Sequence, residues 1–168
     1  MNNFAASGGA IVVSGNGAIF ILNCYLIGNK AKYGIGGAIL VQSVVNHLKQ
    51  HAYLYLGSSI LYYNEAQSGG AIAVHTLGEN HHFRFQQFGQ IVINVSRCIV
   101  AYNNASKYGG AVYVGVGNML LTESNITNNT ADMGGGLYLD VGSVQSIDVK
   151  SFFLFFFLMY EHVLQYTT

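Results

Sequence analysis

One short pattern, returning five times, constrains this chain more than any other feature. It reads Gly8-Gly9-Ala10-Ile11-Val12-Val13, then Gly36-Gly37-Ala38-Ile39-Leu40-Val41, Gly69-Gly70-Ala71-Ile72-Ala73-Val74, Gly109-Gly110-Ala111-Val112-Tyr113-Val114 and Gly134-Gly135-Gly136-Leu137-Tyr138-Leu139. The copies start 25 to 40 residues apart, the range of a solenoid in which each repeat is one turn of the chain. A second motif runs between them: an aliphatic residue, Cys or Ser, another aliphatic, Asn and Ala. It appears as Ile21, Cys24, Leu26, Asn29, Ala31; as Leu56, Ser59, Leu61, Asn64, Ala66; as Val95, Cys98, Val100, Asn103, Ala105; and as Leu121, Ser124, Ile126, Asn129, Ala131.

Alternation of apolar residues after each glycine pair, Ile11 with Val13 and Val112 with Val114, predicts strands with one buried face. The glycine pair supplies a corner where a side chain would clash or φ must be positive. With 21 glycines and no proline, the corners are of the Gly type. The fold class expected is all-β: a right-handed parallel β-helix (solenoid) of about four to five coils. Residues 5–148 carry the repeats and 149–168 form a non-repeat, Phe-rich tail. Stacked about 4.8 Å apart, the coils would bring Ile11, Ile39, Ile72, Val112 and Leu137 into one interior column. Asn29, Asn64, Asn103 and Asn129 are expected to pass side-chain amide hydrogen bonds from coil to coil as a structural ladder.

The alternation of Gly-Gly-Ala-Ile with Leu26-Ile27-Gly28-Asn29 and Leu61-Tyr62-Tyr63-Asn64 resembles the repeats of chlamydial polymorphic outer membrane proteins and, more widely, right-handed β-helix domains of the pectin-lyase-like superfamily. The resemblance covers about residues 5 to 147. It departs where the bacterial family has Phe and this chain has Leu, Val or Ile. What it implies is an extracellular or cell-surface parent protein.

Composition narrows the function classes. Hydrophobic residues make up 51% and charged residues 8%, so one domain with ample core material is expected. Seven basic residues balance seven acidic ones, which leaves no general attraction to nucleic acid. No basic region precedes an apolar run at the start, as a secretory leader would require, and the chain reads as a segment of a longer protein. Phe152 to Tyr160 is an apolar run too short to span a bilayer alone. The tail is thus read as a cap, a partial membrane anchor or translated intron, and membrane association enters only through 152–160.

Lyases and glycosidases need carboxylates gathered on one face. The seven acids, Glu65, Glu79, Glu123, Asp132, Asp140, Asp148 and Glu161, fall at scattered repeat positions, so no catalytic residue, metal site or cofactor is assigned. Arg97 and Glu123 share a register and read as an exposed ion pair. Cys24 and Cys98 share theirs two coils apart, beyond disulfide reach, and are expected to be reduced, buried, apolar fillers. Sequons occur at Asn94, Asn104, Asn125 and Asn128, as on surface turns of a glycosylated protein, although a repeat rich in Asn, Ser and Thr produces such triplets equally well unaided.

The stretches 14–20, 42–55, 75–94 and 115–120 vary most in length, and variable insertions on one side of a solenoid mark its binding side. Five of the six histidines, His47, His51, His75, His81 and His82, fall in the two longest, with Phe83, Arg84, Phe85 and Phe88. Surface chemistry or an aromatic recognition ledge fits them better than a metal site, which needs converging ligands. Tyr113 and Tyr138 are expected to point outward from adjacent coils, where they either stack as a surface for a sugar ring or a partner's side chain or, the reading slightly favoured, pack under a neighbouring insertion. The candidate binding surface is therefore His75, His81, His82, Phe83, Arg84, Phe85, Tyr113 and Tyr138. The function expected is a non-catalytic surface or secreted segment for adhesion, for binding glycans or surface proteins, or for spacing. The alternatives are a fragment of a carbohydrate-active enzyme whose catalytic coils lie elsewhere, or an open reading frame without a role of its own.

Overall fold

The computed structural model describes residues 2–44, 51–77, 91–147 and 165–167. They form a parallel β-helix in which every strand pairing is parallel. Each coil has four sides. The first wall stacks β2 (Ile11–Ser14), β6 (Ile39–Val44), β10 (Ile72–Leu77) and the leading parts of β14 (Val112–Thr122) and β16 (Leu137–Ile147). The second stacks β3 (Gly17–Leu22), β7 (Ala52–Gly57), β11 (Ile91–Ser96) and the trailing parts of β14 and β16. Because β14 and β16 cross the corner without a break, the two walls merge into one nine-stranded sheet.

The third wall is β4 (Tyr25–Ile27), β8 (Ile60–Tyr62), β12 (Ile99–Ala101) and β15 (Asn125–Thr127). The fourth is β1 (Phe4–Ala5), β5 (Lys30–Ala31), β9 (Glu65–Ser68) and β13 (Asn104–Tyr108). From the tail, β17 (Gln165–Thr167) adds to the end of β16. The run at 152–160 lies outside the described residues.

The expected register holds. Ile11, Ile39, Ile72, Val112 and Leu137 are direct partners up the first wall, and Ile21, Leu56, Val95 and Leu121 up the second. With Leu61, Val100 and Ile126 of the third wall they make one continuous apolar interior. Its central members Ile39, Leu56, Leu61, Ile72 and Val95 are completely buried. At about 25 cal/mol per Å² of apolar surface, each such side chain contributes roughly 2 kcal/mol.

Three corners are columns of left-handed residues: Gly8, Gly36, Gly69, Gly109 and Gly134; Asn23, Ser58, Arg97 and Glu123; and Gly28, Tyr63, Tyr102 and Asn128. The glycine pair divides its labour. The first member carries positive φ, +65° at Gly69. The second is held to glycine by the next coil, since a Cβ at Gly37 or Gly70 would collide with the carbonyl of Gly70 or Gly110. Just after it, Ala38 and Ile39 both donate to the Ala71 carbonyl, and Ala71 and Ile72 both to that of Ala111, so an identical bulge repeats in each coil.

At the corner between the third and fourth walls runs the asparagine ladder. The side-chain amide of Asn29 donates to Oδ1 of Asn64, Asn64 to Asn103 and Asn103 to Asn129, each at 2.9 Å, and the backbone N–H of each donor residue reaches the same oxygen. The amides of Asn64, Asn103 and Asn129 also reach back to third-wall carbonyls, those of Leu26, Leu61 and Val100. Asn3 is a rung that the repeat comparison passes over: its N–H and amide both donate to Oδ1 of Asn29.

Candidate binding surface

On the outer side of the first wall, Tyr113 and Tyr138 are register partners and stack, with ring centroids 5.9 Å apart and planes 26° from parallel. A third ring joins them. Tyr108, at the end of β13 just before the Gly109-Gly110 corner, lies 4.7 Å from Tyr138 and 6.2 Å from Tyr113. The turn thus brings the last side chain of the fourth wall beside the second residue of the first-wall strand. Space for Tyr113 comes from Gly115, whose added Cβ would sit 3.0 Å from the Tyr113 hydroxyl.

All three tyrosines are half-buried. Burial, followed by the nearby Asp140 carboxylate and the other two phenols, pushes Tyr113 up to about 12. Tyr138 moves in the same direction, from burial and then Asp140. At neutral pH the ledge therefore presents uncharged rings carrying hydroxyls that both donate and accept, bordered by one exposed carboxylate.

Of the other expected surface residues, His75 lies in the regular strand β10 rather than in an insertion, half-buried and paired in register with Gln42. His81, His82, Phe83, Arg84 and Phe85 lie outside the described residues, as do His47 and Phe88. The corner they belong to is the variable one: the strands on either side pair in register while the links between them differ, residues 15–16, 45–51 and 78–90, and β14 needs no link. Strands extend further into this corner than the sequence ranges suggest. The backbone N–H of His51 donates to Oδ1 of Asn16 on the preceding coil, at 2.7 Å.

Several sequence expectations are corrected. Arg97 and Glu123 do share a corner column of left-handed residues, but they form no ion pair. Stacked opposite charges meet instead on the fourth wall, where Lys30 Nζ lies 2.6 Å from a Glu65 carboxylate oxygen. With both side chains more than 40% exposed, that pair contributes under about 1 kcal/mol.

Both cysteines are free thiols, yet only Cys98 is buried; Cys24 is exposed because the first coil has no described coil beneath it. Cys98 packs within the apolar interior as expected, whereas Cys24 does not. Both are rungs of a hydrogen-bonded column: Cys24 N–H donates to Ser59 Oγ and Cys98 N–H to Ser124 Oγ, both at 3.1 Å. Each serine hydroxyl donates on to a carbonyl two residues before it. Burial pushes the Cys98 thiol up, against hydrogen bonds from backbone at Ser59 and Ser96.

The sequons also divide. Asn94 lies within β11 and Asn125 begins β15; both are half-buried, each with its Oδ1 shielded from solvent and unpartnered. Asn104 and Asn128 are exposed. Among the described residues, no group of three or more His, Cys, Asp or Glu converges as a metal site would, and no helix is long and apolar enough to cross a membrane. Glu65, Glu123, Asp132 and Asp140 stand in different columns.

No protein-family model, curated protein or solved structure matches the chain.

Proposed function

We propose that the chain is a non-catalytic β-helix segment of a surface or secreted protein, and that it serves adhesion by binding glycans on the Tyr108, Tyr113 and Tyr138 ledge. The observation that carries this reading is the assembly of three tyrosines from two adjacent coils into one half-exposed surface. A pyranose ring has an apolar face of C–H bonds that packs on an aromatic ring and a rim of hydroxyls that needs donors and acceptors close by. Neighbouring rings 5.9 Å apart provide the first and the phenol groups with Asp140 the second. The repeat resemblance supports the same placement, since pectin-lyase-like β-helices and chlamydial polymorphic outer membrane proteins are surface or secreted. Adhesion further fits acids that stand in separate columns and a corner whose links vary in length.

The test is a titration of the full chain with a panel of neutral and basic oligosaccharides, followed by NMR of the tyrosine rings. Binding that weakens at least tenfold in Tyr138→Ala and Tyr108→Ala, and is unchanged in Tyr25→Ala on the third wall, is the expected result. No binding by any member of the panel, or equal binding by all three variants, contradicts the reading.

A further inference from the structure

A second aromatic surface stands at the corner between the third and fourth walls. Tyr63 and Tyr102 occupy successive positions of the column Gly28, Tyr63, Tyr102, Asn128, 61% and 47% exposed. Their rings stack at 5.4 Å, 23° from parallel, and Tyr62 meets both edge-on at 5.9 Å. Left-handed backbone suits glycine and asparagine and strains tyrosine. The corner thus holds two rings in a strained conformation and leaves them in water, so something outside the described wall is expected to cover them.

The next position of that column is a sequon. Asn128 begins Asn128-Asn129-Thr130; its side chain is exposed, and φ is +54°. It sits one coil above Tyr102, whose N–H donates to the Thr127 carbonyl, so its Cα lies about 4.8 Å along the axis from that of Tyr102. The fold separates it from the other sequons: a glycan on Asn94 or Asn125 would have to leave a half-buried strand position whose Oδ1 is shielded from solvent, and Asn104 stands on the fourth wall with its Oδ1 accepting from Thr130.

We propose that Asn128 is an N-glycan acceptor whose first sugar lies on the rings of Tyr102 and Tyr63. The donor class is a polyprenyl-diphosphate-linked oligosaccharide ending in N-acetylglucosamine. Nδ2 of Asn128 bonds to the anomeric carbon, the carbon–oxygen bond to the diphosphate breaks, the amide nitrogen loses one proton, and the polyprenyl diphosphate leaves. Transfer falls on the extended chain before coil closure, because Asn129 is afterwards a ladder rung and Thr130 is hydrogen-bonded to Asn104. Folding then sets the sugar against the column beneath it, where its C–H face covers the exposed rings.

This inference rests on the surface or secreted reading for where the donor is met, and its test is independent of glycan binding at the ledge. The full chain is secreted from a eukaryotic host behind a cleavable leader, and glycopeptides are mapped by mass spectrometry. The expected result is a glycan on Asn128, lost in Asn128→Gln and kept in Thr130→Ser. Ring-current shifts on the first sugar's protons should vanish in Tyr102→Ala, together with any rise in melting temperature that the glycan confers. An unmodified Asn128 in secreted, folded chain overturns the acceptor assignment. Unchanged sugar shifts in Tyr102→Ala overturn the packing.

Discussion

Two corners of the same coil behave in opposite ways. The asparagine corner repeats from Asn29 to Asn129, with a left-handed residue before each rung, whether Gly, Tyr or Asn, and the same 2.9 Å hydrogen bonds through it. The corner between the first and second walls is crossed by residues 15–16 in one coil, 45–51 and 78–90 in others, and by uninterrupted strand in β14. The difference lies in what each corner must satisfy. At the asparagine corner, buried backbone donors have no other partner, so any change leaves them unpaired. At the variable corner the strands on both sides are already hydrogen-bonded to neighbouring coils, and the link has only to join two fixed ends.

The largest effect expected belongs to the repeating side of this contrast. Gly70→Ala places a Cβ against the Gly110 carbonyl and should cost more than about 4 kcal/mol or abolish folding, as read by urea denaturation. A change below about 1 kcal/mol would mean that the coils are not in van der Waals contact there. Next comes Asn64→Ala. It removes the acceptor for two Asn29 donors and the amide that reaches Asn103 and Leu26, for an expected loss of about 3 kcal/mol.

On the variable side, replacing residues 78–90 with a two-residue Gly-Asn link like that of the first coil should leave stability unchanged or raise it by about 1 kcal/mol. A loss of several kcal/mol in the same denaturation experiment would show that this corner too is structurally required.

An effect that is nil at neutral pH and enters only in alkali is the pH dependence of the tyrosine ledge. Folding raises the Tyr113 phenol to about 12 from 10, so the neutral form is favoured in the folded state. Stability from this group is complete below pH 10 and is lost as pH rises through 12. Phenolate absorbance should show a late-titrating component that is diminished in Tyr113→Phe, with Tyr138 also shifted upward.

The repeating corners were legible in the sequence because each fills its position with a residue chosen for a specific reason. Gly70 and Asn64 recur at every coil, and aligning them placed Ile39, Ile72 and Val112 in one column. Asn3 escaped notice because only Asn-x-Ala of its motif is present, without the aliphatic residues that precede the other rungs. Tyr108 escaped because it belongs to the fourth wall by sequence and reaches the ledge only through the Gly109-Gly110 turn. Column membership also says nothing of neighbours above and below: Cys24 and Cys98 share one position, yet their burial differs with the number of coils around them. Lys30 and Glu65 show a related gap: each follows its ladder asparagine and the two are register partners, yet the stacked pair that the sequence suggests is Arg97 with Glu123, whose shared register does not bring the charges together.

The most direct measurement is isotope-edited NMR of the asparagine side chains, following amide exchange and proximity from coil to coil. Nδ2 protons of Asn29, Asn64 and Asn103 should exchange slowly and show cross-relaxation in the chain order Asn3, Asn29, Asn64, Asn103, Asn129. Rapid exchange of these amides, or cross-relaxation linking any of them to partners out of that order, would contradict the stacked register on which the ledge and the glycan site both depend.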